Sequence, residues 1–378
     1  MNARIVRLRD FDLVLLLSAL GLVTLGTLLI YSGSLTQFGK PVLLDVSHPV
    51  VRQLLFAAVG VAFALAFARM DYKVLGTLSF GLYIAVVGLL LFVDVAGEAA
   101  HGSRRWLTIG GVQVQPSEIA KLIVIVMLAK YLSDRQESVQ TLRVFFGSIA
   151  IVALPGAMVF AQPDLGSSLI FAAIWLGMIT VAGANWRHIA GLLTAVLIAI
   201  PFAFIGLVSD YQRERIDLWL DPASDPLGAG FQALQARIGI GSGGMFGKGL
   251  TQGTQTQLEY LRTQSTDYIF SVLGEELGFV GALVLIALFV LLLWRGIRAA
   301  ELSRDMFGRL LAAGIVTSIL LQTFINIGVN VGLLPVTGIP LPFVSQGGSS
   351  LITLFIALGI LQSILLHHRS FSFRNLYS

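Results

Sequence analysis

The chain contains no cysteine, which excludes disulfides and thiolate metal sites and leaves the redox compartment unread. Charge is nearly as scarce. Asp, Glu, Lys and Arg make up 12% of the 378 residues, against about 25% in an ordinary soluble domain. A soluble surface built from so few charges would expose large apolar patches and aggregate. The histidines show no zinc-ligand spacing, His367 and His368 simply being adjacent near the C-terminus. No solenoid-like repeat and no low-complexity tract interrupts the sequence.

Apolar length is what the chain has. Hydrophobic residues reach 56% and mean hydropathy is +0.84. The run from Phe11 to Tyr31 spans roughly 20 residues, enough to cross about 30 Å of hydrocarbon. It is too long for a signal-peptide core and lacks a small-residue cleavage site after it, so it reads as a retained first span. Further runs fall at 51–68, 74–95, 117–132, 144–161, 165–183, 189–208, 268–294, 307–328 and 346–366. The expectation is one all-α polytopic membrane domain over 1–378, with about ten transmembrane helices and no separate soluble part.

The formal charge of +4 forms no nucleic-acid patch, because the bases are scattered between apolar runs. In a membrane protein that excess is an orientation signal. With the N-terminus inside, the cytoplasmic segments hold Arg4, Arg7, Arg9, Arg69, Lys73, Lys130, Arg135, Arg143, Arg187, Arg295, Arg298, Arg304, Arg309, Arg369 and Arg374. The short outer loops hold only Lys40, Arg104 and Arg105. Both termini are therefore placed in the cytoplasm. One outer segment, 209–267, is far longer than a normal connection. Within it Leu227, Phe231, Leu234 and Ile238 recur with helical period, predicting an amphipathic helix on the membrane or the bundle. The glycine-rich run Gly239 to Gly249 then predicts a flexible turn.

An ionisable group at membrane depth costs roughly 2.5–3.5 kcal/mol on insertion scales and marks function by default. Glu118 and Lys121 share a helix face and pair, as a structural ion pair or as part of a polar cavity. Arg104 and Arg105 read either as headgroup anchors or as ligands for phosphate, which guanidinium binds bidentately. Asp164, in a tight turn before Ser167, is a helix cap or a cavity-lining carboxylate. Arg215, in the charged stretch Tyr211 to Pro222, is a further phosphate candidate. Asp267 sits where the long outer segment re-enters the bundle. There it is either a helix cap or a carboxylate whose pKa is raised by apolar surroundings towards useful base strength. Glu275 and Glu276 lie deeper, and at least one should face a partner inside the bundle. The glycine- and proline-rich stretch 326–350 must be buried or line a cavity if it lies at membrane depth, with Gln346 and Ser349 facing that cavity or bonding its freed backbone.

The runs GSRRWL at 102–107, QPSEIAKL at 115–122, QPDLGSS at 162–168, DPLGAGFQ at 225–232, IGIGSGGMFGKG at 238–249, TDYIF at 266–270, LGEELGF at 273–279 and PVTGIPLPFVSQGGSS at 335–350 occur in that order. Together they resemble the SEDS family of cell-wall polymerases (shape, elongation, division and sporulation). GTQTQLEYL at 253–261 and the second proline of GIPLPF resemble the elongation branch more than the division branch. The resemblance implies a ten-span fold and a peptidoglycan glycosyltransferase that polymerises lipid II. It implies that Asp267 is essential and catalytic, that Arg105, Glu118 and Lys121 belong to a central cavity, and that Asp164 occupies a motif position. It also implies a class B penicillin-binding protein as partner, in the bacterial cytoplasmic membrane. Two departures stand out: Leu261 to Ser265 replaces a stretch that carries Pro–Glu and a histidine in relatives, and Gln346 stands where tyrosine is common.

The mechanism so implied is inverting, with Asp267 as base and Arg105, Arg215 or a divalent ion, Mg2+ or Mn2+, offsetting charge on the leaving pyrophosphate. A lipid II flippase is the rival reading, since ten spans and a polar cavity suit transport equally well; a membrane scaffold is the third.

Overall fold

The computed structural model describes residues 11–42, 45–96, 98–100, 103–109, 112–206, 210–225, 228–258, 260–261 and 263–369. Each of the ten apolar runs is a helix. They are α1 (Leu13–Phe38), α2 (Pro49–Arg69), α3 (Lys73–Ala96), α4 (Pro116–Ser133), α5 (Leu142–Ala161), α6 (Leu165–Val181) and α7 (Trp186–Gly206), then, after the long outer segment, α11 (Ile269–Leu302), α12 (Met306–Asn330) and α13 (Gly348–Arg369). Seven of these are long and apolar enough to cross a membrane by length and composition alone, and α6 and α7 supply shorter apolar stretches. The remaining one, α4, carries the buried charges Glu118 and Lys121. Large apolar side chains such as Phe80, Leu197, Val290 and Phe324 point outward, a surface suited to lipid. α12 and α13 are the most enclosed spans, α12 touching α4, α6, α11 and α13.

The chain ends of successive spans alternate between two faces. One face gathers Asp12, which caps α1 and pairs with Arg295, together with the Lys73–Asp305 and Lys130–Asp134 ion pairs. These are the segments that the basic-residue bias assigns to the inside. The opposite face carries the loops that build the site.

Two features there go beyond expectation. The fold is all-α as expected, and residues after α3 add a small antiparallel sheet: β1 (Glu98–Ala100), β2 (Ser103–Ile109) and β3 (Val112–Val114), with β2 in the centre. The adjacent glycines at 110 and 111 in the sequence and the alternation through Ser103–Ile109 carry that signal. The outer segment contains α8 (Asp210–Leu220), α9 (Ala229–Ser242) and the short α10 (Thr254–Gln257). α9 is the expected helix, but it buries another face. Gly230, Ala236 and Gly239 are packed while Ile238 is exposed; Leu227 lies outside the described residues. Small residues let α9 approach α11 closely, which matters more than apolar area where the neighbours are apolar anyway.

The run Gly239 to Gly249 begins inside α9, and its remainder is held by hydrogen bonds to α11. That helix is broken at Gly278, whose backbone sits at φ 65°, ψ −161°. A continuous helix would bond the amides of Phe279 and Val280 to the carbonyls of Glu275 and Glu276. Instead Phe279 N–H donates to Gly244 O (2.9 Å) and Val280 N–H to Met245 O (3.0 Å). The two orphaned carbonyls accept from Lys248 N–H and Gly249 N–H, each at 3.0 Å. The loop thus replaces both missing rungs, which is how irregular backbone survives in a membrane bundle. Side chains add to the grip. Glu275, 1% exposed, accepts from Lys248 Nζ at 2.8 Å and from the Gln255 and Thr256 amides. Glu276 accepts from Ser32 Oγ of α1.

Gly278→Ala is expected to abolish folding. Its φ/ψ region is essentially restricted to glycine, a cost of about 1–3 kcal/mol for other residues, and an added Cβ would stand 2.3 Å from Gly247 N. The control is Gly241→Ala, where nothing lies within 4 Å of the added carbon and helix propensity improves. Size-exclusion profiles in detergent should show a monodisperse peak for the second variant only.

Candidate active site

The turn that carries Asp267 is assembled from contacts distant in sequence. Residues 263–268 form hydrogen-bonded turns, with the Asp267 and Tyr268 amides both donating to Thr263 O. The Asp267 carbonyl accepts from Asn330 Nδ2 (2.8 Å) and Asn326 Nδ2 (3.1 Å) of α12. Ser345 Oγ donates to Thr266 O (2.6 Å), and Gln346 N–H donates to Ser265 O (2.8 Å). The 335–347 stretch therefore clasps the turn from one side and α12 from the other. The N-cap of α11 is Tyr268, with no side-chain cap bond of its own. Asp267 itself is half-buried.

Around Tyr268 the charges converge. Burial first, then the Asp267 carboxylate, hold its hydroxyl well above the usual phenol range, and the nearby Arg215 and Arg237 act in the opposite direction. Arg215 Nη1 donates to Val336 O (2.8 Å), and Trp219 Nε1 donates to Gly332 O (3.1 Å). Between α8, α9 and the end of α12 lies a cavity of about 160 Å3, lined by both arginines, Glu214, Trp219, Leu334 and Pro335 among others.

A second cluster centres on Asp164. Its Oδ1 accepts from Ser167 N–H (3.0 Å) and its Oδ2 from Ser167 Oγ (2.9 Å), so it caps α6. Arg105 Nε donates to Gln162 O (2.7 Å), Nη2 donates to Pro163 O, and Nη1 lies 3.9 Å from Asp164 Oδ2. Gln115 joins the group through Asp164 Oδ2 (3.4 Å) and through its own amide, which donates to Ser349 Oγ (3.1 Å). Arg105 therefore acts as a clamp between the sheet and the α5–α6 turn. Arg104 lies on β2, and its side chain lies outside the described residues.

Glu118 and Lys121 pair at 2.8 Å with both side chains 4% exposed. They border a hollow of about 30 Å3 with Ser318, Gln322 and Thr353, enough for a water molecule. Among the described residues no three acidic or histidine side chains gather as a metal site. The structure thus separates the sequence-flagged residues into three groups: Asp267 with Arg215 and the backbone of Gln346; Asp164 with Arg105 and Ser349; and Glu118 with Lys121. It adds Arg237, Asn326, Asn330 and Ser345, which the sequence reading missed. Of these only Arg237 carried a local signal, as the one cation on α9.

The family model for the cell cycle proteins FtsW, RodA and SpoVE matches residues 12–370. The chain belongs to this family. Within it, the chain is 40% identical over 361 residues to the peptidoglycan glycosyltransferase MrdB of Escherichia coli (strain K12), covering 96% of this chain and 95% of that protein. It superposes on the rod shape determining protein RodA of Thermus thermophilus with a TM-score of 0.68 at 29% identity, over 97% of this chain and 98% of that one. A chain from a peptidoglycan synthase complex, described as coordinating polymerization and crosslinking, gives a TM-score of 0.81 at 29% identity, over 95% and 99%. These relatives favour the elongation branch of the family.

Proposed function

We propose that this protein is a peptidoglycan glycosyltransferase that polymerises lipid II into glycan strands at the outer face of the cytoplasmic membrane, in cell elongation and shape maintenance. The observation that carries this reading is Asp267: a half-buried carboxylate on a turn whose backbone is pinned by Asn326, Asn330 and Ser345, with Arg215 and Arg237 close by. Pinning the backbone is what a general base needs, since its proton transfer depends on a fixed approach.

In the proposed reaction Asp267 takes the proton of the acceptor 4-hydroxyl as that oxygen attacks the anomeric carbon of the donor. The bond from that carbon to the diphosphate oxygen breaks, the electron pair leaves with polyprenyl pyrophosphate, and the anomeric configuration inverts. Cationic side chains offset the growing charge on the leaving group; Mg2+ or Mn2+ is the alternative source, decided by chelator titration in the same assay. The basic-residue bias puts both termini in the cytoplasm and the Asp267 face outside. The relation to a complex described as coordinating polymerization and crosslinking supports a class B penicillin-binding protein as partner.

Incubating the purified protein with lipid II in detergent tests the reading. A ladder of glycan strands is expected. Neither a flippase nor a scaffold forms glycosidic bonds, so intact lipid II recovered from the wild-type protein and its partner together would remove the enzymatic assignment.

A further inference from the structure

The loop after α9 lies flat along one part of α11. Gly244 O and Met245 O accept from the Phe279 and Val280 amides, and the Lys248 and Gly249 amides donate to Glu275 O and Glu276 O. Gly243 and Gly247 leave no room for a Cβ against the carbonyls of Gly274 and Glu276. With the two backbones in direct contact, the depth of the loop in the membrane is the depth of α11 between 274 and 280.

That depth can be measured from the other end of the helix. Trp294 is exposed and stands beside Arg295, which pairs with Asp12 on the face that the basic residues assign to the inside. An outward tryptophan at a span end marks the headgroup level. The helix is unbroken between Gly278 and Trp294. At about 1.5 Å per residue, Val280 is about 20 Å from that level, still inside a hydrocarbon layer of about 30 Å. The neighbouring side chains agree, for Phe279, Val280, Leu283 and Val284 all point outward on a helix long and apolar enough to span.

The loop is composed for the same medium. Phe246 is 81% exposed and Met245 59%, extending the apolar surface of Phe279 and Val280. The single charge between Ser242 and Gly253 is Lys248. Its Nζ is turned onto the buried Glu275 (2.8 Å) and onto Thr254 Oγ1 (2.9 Å). Apolar groups face outward and the charge faces the protein, the reverse of a loop made for water. The repair of the Gly278 break points the same way. In water, freed amides and carbonyls would be satisfied by solvent, whereas in hydrocarbon each needs a protein partner.

We propose that Gly244 to Gly247 form a re-entrant segment within the leaflet on the Asp267 side, with Met245 and Phe246 among the lipid acyl chains. The partner of this exposed face is the bilayer itself. The outer segment is thereby moored in the membrane between its two ends. Nothing in this assignment depends on the polymerase reading.

The absence of cysteine gives the test a clean background. A nitroxide spin label is placed on Phe246→Cys in the full-length protein, reconstituted in vesicles of phosphatidylethanolamine and phosphatidylglycerol. Its collisions with oxygen, which partitions into hydrocarbon, are compared with those of a water-soluble nickel chelate. The references are Leu197→Cys, on the outward side of α7, and Ser224→Cys, exposed in the outer segment. Oxygen should dominate at 246 as it does at 197, with the nickel chelate dominant at 224. Met245→Cys is read in the same way if the first variant fails to fold. Dominance of the nickel chelate would make the loop aqueous, and shielding from both reagents would place it under protein. Either result overturns the assignment.

Discussion

Replacing Asp267 with asparagine is expected to stop polymerisation and leave the fold intact. The substitution exchanges one carboxylate oxygen for an amide nitrogen and leaves the main-chain bonds of the turn in place. Those run through the Asp267 carbonyl to Asn326 and Asn330, and through its amide to Thr263 O. What is lost is the ability to accept a proton. General base catalysis contributes about 10²–10⁴ in rate, equivalent to roughly 3–5 kcal/mol of barrier, which takes a slow polymerase below gel detection. Asp267→Glu keeps the proton acceptor and displaces it by about one methylene, a misplacement worth on the order of 10² in rate. Initial rates of lipid II consumption for the three proteins, with size-exclusion profiles to confirm folding, are the measurement. Wild-type rates from a folded Asp267→Asn protein would remove the residue from the mechanism.

Breaking the Glu118–Lys121 pair should be strongly destabilising. Both side chains are 4% exposed and 2.8 Å apart on α4. Removing one partner leaves an uncompensated charge in the bundle, at a cost of about 3–5 kcal/mol. Replacing both by apolar groups of similar volume removes the desolvation penalty together with the attraction, and is often neutral. Lys121→Met should therefore melt well below the wild type, and Glu118→Leu/Lys121→Met should recover most of the loss. The recovered protein then separates the two readings of the pair. If it folds and polymerises, the pair is structural. If it folds without activity, the polar hollow shared with Ser318, Gln322 and Thr353 serves the reaction.

The spans were legible because a membrane helix writes itself in length and composition, and each apolar run became a helix. α1 runs on to Phe38 past its apolar stretch, because Gln264 and Glu276 bind Gly33 and Ser32 near its end. Asp267 was visible as a carboxylate at the mouth of a span. The face of α9 was not, since helical periodicity locates apolar area while this helix packs through Gly230, Ala236 and Gly239. Arg237 escaped notice because only folding brings its guanidinium against the backbone of Gly332. The same holds for Ser345 and Asn330, which act on main-chain atoms of the 266–267 turn. Asp164 and Ser349 were flagged singly, but only folding shows that Gln115 joins them.

The interruption in α11 also bears on the order of synthesis. Residues 244–249 leave the ribosome before 269–302, so the partners that complete the broken helix have been synthesised by the time it enters the bilayer. A rearranged gene that encoded α11 ahead of the outer segment would send two bare carbonyls and two bare amides into hydrocarbon, each a deficit of several kcal/mol. The linear order of the gene thus makes the partners of the break available before the break itself is made.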